Sequence, residues 1–145
     1  MAVKFESAAA GKYLRELNYR LEVVSEQGVA AKRQLRTAIT EAAQPIAEKA
    51  KQKIRRKSGE LAESIYPNRA VLHRGGGMTV TVSTHGKPGR YAGPLEYGHV
   101  ASGAFKNGPP VPANPFMRPA FDEKKEEAYE RIVAGILELM NDLGI

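Results

Sequence analysis

Apolar residues recur every three or four positions along three stretches of the chain, a spacing typical of amphipathic helices. The first stretch covers residues 8–26, and Gly28 is expected to end it. The second runs from about residue 29 to residue 57, among good helix formers, and the third continues from Phe121 onward. The stripes consist of Leu14, Leu17, Leu21 and Val24; of Leu35, Ile39, Ala42, Ile46, Ala50 and Ile54; and of Ile132, Ile136, Leu139 and Leu143.

Proline divides the second stripe, and further turn signals follow it. Pro45 lacks an N–H and clashes with the preceding turn, so we expect a kink near residues 40–44 or two separate helices. Ser58 is expected to cap a short helix in which Leu61 and Ile65 face inward. A proline at position 67 would end that helix.

From residue 69 the pattern changes to the alternation of a β-strand. Residues 70–74, the three glycines at 75–77 and residues 78–84 together predict a β-hairpin. The second arm alternates apolar and hydroxyl side chains, so one of its faces is expected to be buried. The glycines do not form a phosphate loop, because no Lys-Ser/Thr pair and no helix follow them.

The segments after the hairpin are rich in glycine and proline. Pro94 favours a turn or a short helix within residues 91–98. Residues 100–112 are predicted to form a long exposed loop. The pair Asn114-Pro115 resembles a helix start, with a capping side chain before a proline, although Pro119 could mark the start instead.

This order of elements predicts a single α+β domain over residues 1–145. We expect long N-terminal helices, a small antiparallel sheet with a β-hairpin, and a C-terminal helix packed on the sheet. Residues 1–57 would be the helical part, residues 58–122 would carry the sheet and loops, and residues 115–143 would form the C-terminal helix. A chain of this length can bury roughly 68–70% of its unfolded surface.

The amino-acid composition excludes several classes of protein. The chain has no cysteine, which excludes disulfide scaffolds, zinc ribbons, iron–sulfur clusters and cysteine nucleophiles. No apolar run approaches the ~20 residues that cross a bilayer. Residues 1–11 lack the apolar core of a signal peptide. We therefore expect a soluble, cytoplasmic product without membrane contact.

The chain is basic, with 22 Lys and Arg against 16 Asp and Glu and a net charge of +6. Six of the nine residues from position 49 to position 57 are cationic. This run is either a solvated helix end, whose cations offset the helix dipole, or a contact with an acidic partner or DNA. It contains no aromatic residue of the kind that single-strand readers use. Its members are Lys49, Lys51, Lys53, Arg55, Arg56 and Lys57.

The candidate catalytic residues do not form a recognisable constellation. His73, His85 and His99 have neither the spacing of a zincin nor a neighbouring Gly-x-Ser-x-Gly elbow. Glu60 and Glu63 are three positions apart, which is more simply explained by exposed helix acids. The sequence therefore predicts no catalytic, cofactor or metal site.

Two charges lie within otherwise apolar motifs near the C-terminal helix. Glu96 and Arg118 are candidates for a charge-assisted pair, and the alternative is two unrelated exposed charges. Pro115 and Pro119 fix φ at two points, which is expected to bury the phenylalanines at 116 and 121. Gly98 would permit a turn that a side chain would obstruct.

Three short segments carry a resemblance to a known family. Their residues are Gly59-x-Leu61-x-x-Ser64-Ile65, then Tyr91-Ala92-x-x-Leu95-Glu96-Tyr97-Gly98, then Pro112-Ala113-Asn114-Pro115-Phe116-Met117-Arg118-Pro119-Ala120-Phe121-Asp122. In this order they resemble the tail-component, or neck, family of long-tailed bacteriophages and prophages. Its pattern is roughly Thr-Gly-x-Leu-x-x-Ser-Ile, then Tyr-Ala-x-x-Val-Glu-Phe-Gly-Thr, then Pro-Ala-x-Pro-Phe-Leu-Arg-Pro-Ala-Phe. The chain departs from this family pattern at Ser58, Leu95, Tyr97, Met117 and His99. All of these changes are conservative except that at His99, where the family has Thr.

The resemblance implies a non-enzymatic virion protein of the head–tail junction, assembled in the host cytoplasm. It would form a ring of identical subunits, with six copies expected, around the channel that the genome passes through. The implied partners are the head-completion or connector protein, the tail terminator and the tail tube, with genome DNA as a further contact. The alternatives are a tail terminator and a basic, non-specific DNA-binding protein. The motif residues implied to be structural are Gly59, Leu61, Ser64, Ile65, Tyr91, Glu96, Tyr97, Gly98, Pro112, Pro115, Phe116, Arg118, Pro119 and Phe121.

Overall fold

The computed structural model describes residues 2–3, 11–54, 59–73, 78–98, 110 and 112–145. Within these ranges, none of the helices combines the length and the apolar character that a membrane span requires. The elements in chain order are β1 (Ala2–Val3), α1 (Gly11–Ser25), α2 (Val29–Ala42), α3 (Gln44–Lys53), α4 (Glu60–Glu63), β2 (Ile65–Pro67), β3 (Val71–Leu72), β4 (Met78–Thr84), a 3-10 helix (Lys87–Tyr91), α5 (Ala92–Tyr97) and α6 (Met117–Leu143).

Pro45 separates two helices, which is one of the two outcomes predicted from the sequence; the other was a kink in a single helix. Helix α2 ends at Ala42, and Pro45 lies in the first turn of α3, where its missing N–H removes no ladder bond. The apolar stripe continues across the break, and all six of its predicted members are buried. The two helices therefore present one continuous face to the core.

The C-terminal helix α6 runs antiparallel to α2 and α3 and packs along both. Near its C-terminal half, a Cβ atom at Gly135 would lie 3.3 Å from the Cβ of Ala38 in α2, so the small residues allow a close approach. Near its N-terminal end, Glu123 pairs with Lys49 and Lys53 of α3. These contacts fix the direction of α6 against the two helices.

The sheet is antiparallel and has β4 at its centre. β1 pairs with one edge of β4, while β2 and β3 follow each other along the other edge, so the sheet is three strands wide. Between β2 and β3, the three residues 68–70 lie opposite the two residues 80–81, which is a β-bulge.

The bulge is anchored to helix α2 through Thr40. The N–H of Ala70 donates a hydrogen bond to Thr40 Oγ1 at 2.9 Å, and the same hydroxyl donates to the carbonyl of Arg36 at 2.6 Å. Because Ala70 is itself buried, this bond satisfies a backbone donor that the interrupted ladder leaves free.

The predicted α+β fold class is confirmed. One core joins the helices and the sheet: Leu35 from α2, Ile65 and Val82 from the sheet, and Ile136 from α6 are all fully buried in it. The arms of the predicted hairpin pair as expected, with Val71 opposite Thr79. The hairpin tip, residues 74–77, lies outside the described residues.

Three predicted boundaries are wrong. The short helix ends at Glu63, because the next residues pair with β4, and Ile65 is buried from strand β2 rather than from a helix. Pro67 is the last residue of that edge strand, a place where a missing N–H is tolerated. The C-terminal helix begins at Met117 rather than at residue 115, and the region predicted to be only helical contains β1.

Candidate functional site

The first motif forms α4 and the start of β2. Gly59 precedes the helix with a φ of 78°, in the left-handed region that favours glycine. Leu61 packs against the core, and Ser64 Oγ donates a hydrogen bond to its carbonyl at 2.6 Å. Ile65 is fully buried. These four residues shape the backbone and the core, and Ser58 lies outside the described residues.

The second motif forms the end of the 3-10 helix and all of α5. Its two tyrosines point outward, with Tyr91 70% and Tyr97 69% exposed. Glu96 lies between them in sequence but is only 8% exposed, and it is the one buried charged residue in the described part of the chain. Gly98 ends α5 with a φ of 74° and a ψ of 169°.

Replacing Gly98 by alanine is expected to lower the free energy of unfolding by about 1–3 kcal/mol, because that combination of φ and ψ is almost restricted to glycine. Urea unfolding measures the change. Gly93→Ala is the matched control, since Gly93 has no positive φ and an added Cβ would meet nothing within 4 Å. The control should be neutral or slightly stabilising, and a loss equal to that of Gly98→Ala would refute the conformational explanation.

Glu96 joins the second motif to the third through the backbone of α6. Its Oε2 accepts hydrogen bonds from the N–H groups of Phe116 at 2.7 Å and Met117 at 3.0 Å. Its Oε1 accepts one from the N–H of Arg118 at 3.0 Å. We call this arrangement the Glu96 cap. It places a carboxylate at the positive end of the helix dipole.

The Glu96 cap accounts for every unpaired donor at the start of α6. The first four N–H groups of a helix lack partners within the helix. Here they belong to Phe116, Met117 and Arg118, which Glu96 binds, and to Pro119, which has no N–H. The helical ladder then begins with the N–H of Ala120, which donates to the carbonyl of Phe116 at 3.3 Å. The predicted cap at Asn114 is wrong, because the capping group comes from α5.

The contact between Glu96 and Arg118 uses other atoms than the predicted pair of charged side chains. The two motifs are linked by these residues, but Glu96 binds the backbone N–H of Arg118, whose side chain is exposed. No ion pair within 4 Å joins the two side chains. A second link is purely backbone, since the N–H of Asn114 donates to the carbonyl of Leu95 at 2.8 Å.

The rest of the third motif divides into a buried and an exposed side. Phe116 is 1% exposed, as predicted. Phe121 is only partly buried and packs against the edge of the core, which differs from the prediction. Pro112 and Pro115 are exposed, while Pro119 is half-buried in the first turn of α6. The segment is thus anchored by Phe116 and the Glu96 cap.

The hydrogen bonds of the Glu96 cap lower the pKa of its carboxyl group. Burial alone would raise the pKa of Glu96, but the N–H groups of Met117, Phe116 and Arg118, aided by the charge of Arg118, outweigh burial. Between the lowered pKa of the folded state and the ordinary pKa of the unfolded state, the unfolded chain binds more protons. The free energy of unfolding therefore decreases as the pH falls through this window.

We expect Glu96→Gln to remove this component of the acid sensitivity. The wild-type chain should lose more stability than the variant between about pH 6 and about pH 3, as measured by urea unfolding at several pH values. The pKa values of Glu48, Glu123 and Glu127 are also lowered, but these groups remain in both proteins, so the difference isolates Glu96. Parallel pH profiles for the two proteins would contradict the assigned hydrogen bonds.

The described part of the basic run is occupied by contacts within the chain. Lys49 and Lys53 both reach Glu123 of α6, with nitrogen–oxygen distances of 3.3 Å and 2.5 Å, and Lys51 pairs with Glu48 at 3.2 Å. The partner of the first two is not visible in the sequence, because it lies 70 residues beyond Lys53. The other three predicted contacts, Arg55, Arg56 and Lys57, lie outside the described residues.

A family model with the description "Bacteriophage HK97-gp10, putative tail-component" matches residues 15–98. The match covers more than half of the chain; it begins within α1 and includes the helices α2 to α5 with the first two motifs. The chain belongs to this tail-component family. Searches of curated proteins and of solved structures found no match. The third motif lies beyond the matched residues and is tied to them by the Glu96 cap.

Membership of the tail-component family supports a structural role in a phage tail and a place in the virion. It also supports a non-enzymatic role. In the described residues, no group of three or more histidine, aspartate or glutamate side chains is arranged to hold a metal ion. The histidines there have local partners: His73 Nε2 lies 2.8 Å from Thr79 Oγ1, and the ring of His85 stacks on Tyr66 with centroids 3.6 Å apart. His99 lies outside the described residues.

Proposed function

We propose that the protein is a structural component of the phage head–tail junction. In this role it forms a ring of identical subunits, as a neck or tail-completion protein, that joins the head connector to the tail tube. The match to a tail-component family carries the proposal. The partners would be the connector or head-completion protein, the tail terminator and the tail tube, and the genome would pass through the ring.

The surface of the chain supports a role in assembly. Tyr91 and Tyr97 leave large aromatic side chains in water on a segment that the Glu96 cap holds in place. Aromatic residues of this kind are enriched in protein interfaces, where they bury area at little cost in conformational entropy. A closed ring of identical subunits uses heterologous interfaces, in which one patch meets a different patch on the neighbour. Six is the expected number of copies.

Imaging of assembled particles tests the proposal. Particles made without this chain should accumulate as heads and tails that are not joined, and supplying the wild-type chain should restore joining. In averaged images of particles that carry a tagged chain, the tag should form a ring at the junction. Joined particles in the absence of the chain, or a tag at the far end of the tail, would refute the proposed position.

A DNA-binding role has one observation in its favour, the cationic surplus of the chain, and one against it. Lys49, Lys51 and Lys53 are already paired with carboxylates of the same chain. We therefore expect the isolated chain to bind duplex DNA only weakly, with an affinity that falls steeply as salt is raised. Micromolar binding by a monomer at physiological salt, with no ring in the images, would favour the DNA-binding alternative.

A further inference from the structure

Three cations lie on one side of helix α2. Lys32 and Arg36 are four positions apart, and Arg33 and Arg36 are three apart, so the three side chains are neighbours on the helix surface. We call this surface the α2 cationic face. Lys32 and Arg33 are exposed, and Arg36 is partly buried. None of them forms an ion pair within 4 Å in the part of the chain that the structure describes.

The α2 cationic face is turned toward the sheet rather than toward α6. Thr40 continues its stripe at the next step of four after Arg36, and the hydroxyl of Thr40 accepts the N–H of Ala70 in the sheet. The other side of α2 carries Gln34 and Ala38, which line a groove with α6. The carboxylates of α6 in that groove therefore lie across the helix from the cationic face.

The sheet contributes no carboxylate that would offset these charges. Residues 64–95, which include β2 to β4, contain no Asp and no Glu. Arg69 and Glu41 adjoin the two ends of the hydrogen bond from Ala70 to Thr40, so these opposite charges lie near each other and offset one another. The charge of the face thus consists of its three cations on α2.

This arrangement is unfavourable for α2 on its own. Like charges one turn apart repel each other, and cations near the N-terminal end of a helix oppose its dipole. The first turn of α2 contains no acidic residue that would compensate. The helices α1, α3 and α6 each pair a cation with a carboxylate of the same helix, whereas no such pair occurs in α2 among the described residues. An anion from outside the subunit would relieve the repulsion.

Arg36 also has a donor without an acceptor. Its Nε is buried and forms no hydrogen bond within the described ranges. A buried N–H group without a partner is unfavourable. A guanidinium binds a phosphate through two parallel N–H bonds, and the Nε–H belongs to its fork of five donors. A phosphate oxygen beside Arg36 would therefore supply the missing acceptor.

We propose that the α2 cationic face binds the phosphate backbone of the duplex DNA that passes through the ring. This inference rests on the proposed function and states which side of each subunit faces the channel. Two of the three cations are arginines, whose paired donors match the geometry of a phosphate. Helix α2 has no aromatic residue on which a base could stack, so the contact is independent of sequence.

The face differs in this respect from the basic run of α3. Lys49, Lys51 and Lys53 are already engaged by carboxylates of the same chain, and the cations of α2 are not. A single copy offers three such cations, so its binding to DNA is weak and depends on salt. A ring presents the face once in every copy, so the contacts of its subunits act together on one duplex.

Neutralising the face tests the inference. The variant combines Lys32→Gln, Arg33→Gln and Arg36→Gln, which keeps good helix formers in place. Fluorescence anisotropy with a labelled duplex of mixed sequence measures binding between about 50 and about 200 mM salt. We expect binding to weaken by about 10-fold or more at the low end, and the slope of log K against log salt to fall by about 2–3 in magnitude.

The matched control removes the same number of charges from α3, through Lys49→Gln, Lys51→Gln and Lys53→Gln. These lysines are paired within the chain, so we expect the affinity for the duplex to change by less than about 3-fold. Circular dichroism checks that both variants are folded, and electron microscopy shows whether each still forms rings.

Each outcome has a distinct meaning. Weakened binding of the α2 variant alone supports the inference. Equal weakening in both variants would show an effect of net charge only and overturn the inference. Rings of the wild-type chain that bind no duplex at low salt would overturn it and leave the proposed function intact. If the α2 variant bound DNA normally but lost its contacts with other proteins, the face would bind an acidic protein instead, which also overturns the inference.

A single cysteine gives an independent measurement that leaves all three cations in place, because the chain contains no cysteine. Val29 lies on the cationic face, one turn before Arg33, and is 75% exposed. Gln34 is exposed on the other side of the same helix. With a photoactivated crosslinker on the thiol, Val29→Cys should crosslink to the duplex and Gln34→Cys should not. Equal crosslinking from both variants, or none from Val29→Cys, would overturn the inference.

Discussion

Replacing Glu96 by glutamine is expected to lower the free energy of unfolding by about 2–4 kcal/mol. The carboxylate accepts three backbone N–H bonds in a buried position. A glutamine amide has one oxygen and one NH2 group, so at least one backbone donor would face another donor. A buried donor without a partner costs about 1–3 kcal/mol, and the loss of a negative charge at a helix N-terminus adds to this.

Urea unfolding at neutral pH measures the effect, and Arg118→Ala is the decisive control. That variant keeps the backbone N–H that Glu96 binds and removes only an exposed side chain, so its effect should be within about 0.5 kcal/mol. If Arg118→Ala instead matched Glu96→Gln, the link between the motifs would be an ion pair of side chains. The backbone cap would then be refuted.

The helices could be predicted because their signals are local. The stripe from Leu35 to Ile54 repeats at a helical period, and Pro45 marks the break within it, so position and type both follow from neighbouring residues. Strand β2 could not be predicted in the same way. Ile65 and Pro67 lie in a strand only because they pair with Thr84 and Val82, which are far along the chain.

The sequence indicates which residues form the candidate site, but not which of their atoms are in contact. A charge at position 96 inside an apolar motif indicates a buried partner, and the partner does lie in the third motif. The sequence cannot show whether Glu96 binds the guanidinium of Arg118 or its backbone N–H, because every residue of a helix start except proline carries a backbone N–H. The same limit applies to Lys53 and Glu123, whose contact depends on how α3 and α6 pack.

Replacing Phe116 by alanine is expected to lower the free energy of unfolding by about 3–5 kcal/mol, the largest effect of any substitution considered. Phe116 is among the largest fully buried side chains of the described residues. It also stands at the N-cap position of α6, and its N–H is one of the three donors that Glu96 binds. The cavity would therefore open directly beside the Glu96 cap.

Tyr97→Ala is the control for Phe116→Ala, because it removes an aromatic ring of similar size that is 69% exposed. It should change stability by no more than about 0.5 kcal/mol. A double-mutant cycle of Phe116→Ala with Glu96→Gln separates packing from capping. Since the two residues are in direct contact, we expect a coupling energy of about 0.5 kcal/mol or more. If the two losses were additive, the ring of Phe116 would not help to position the N–H of Phe116 for its hydrogen bond to Glu96. The core and the cap would then stabilise α6 independently.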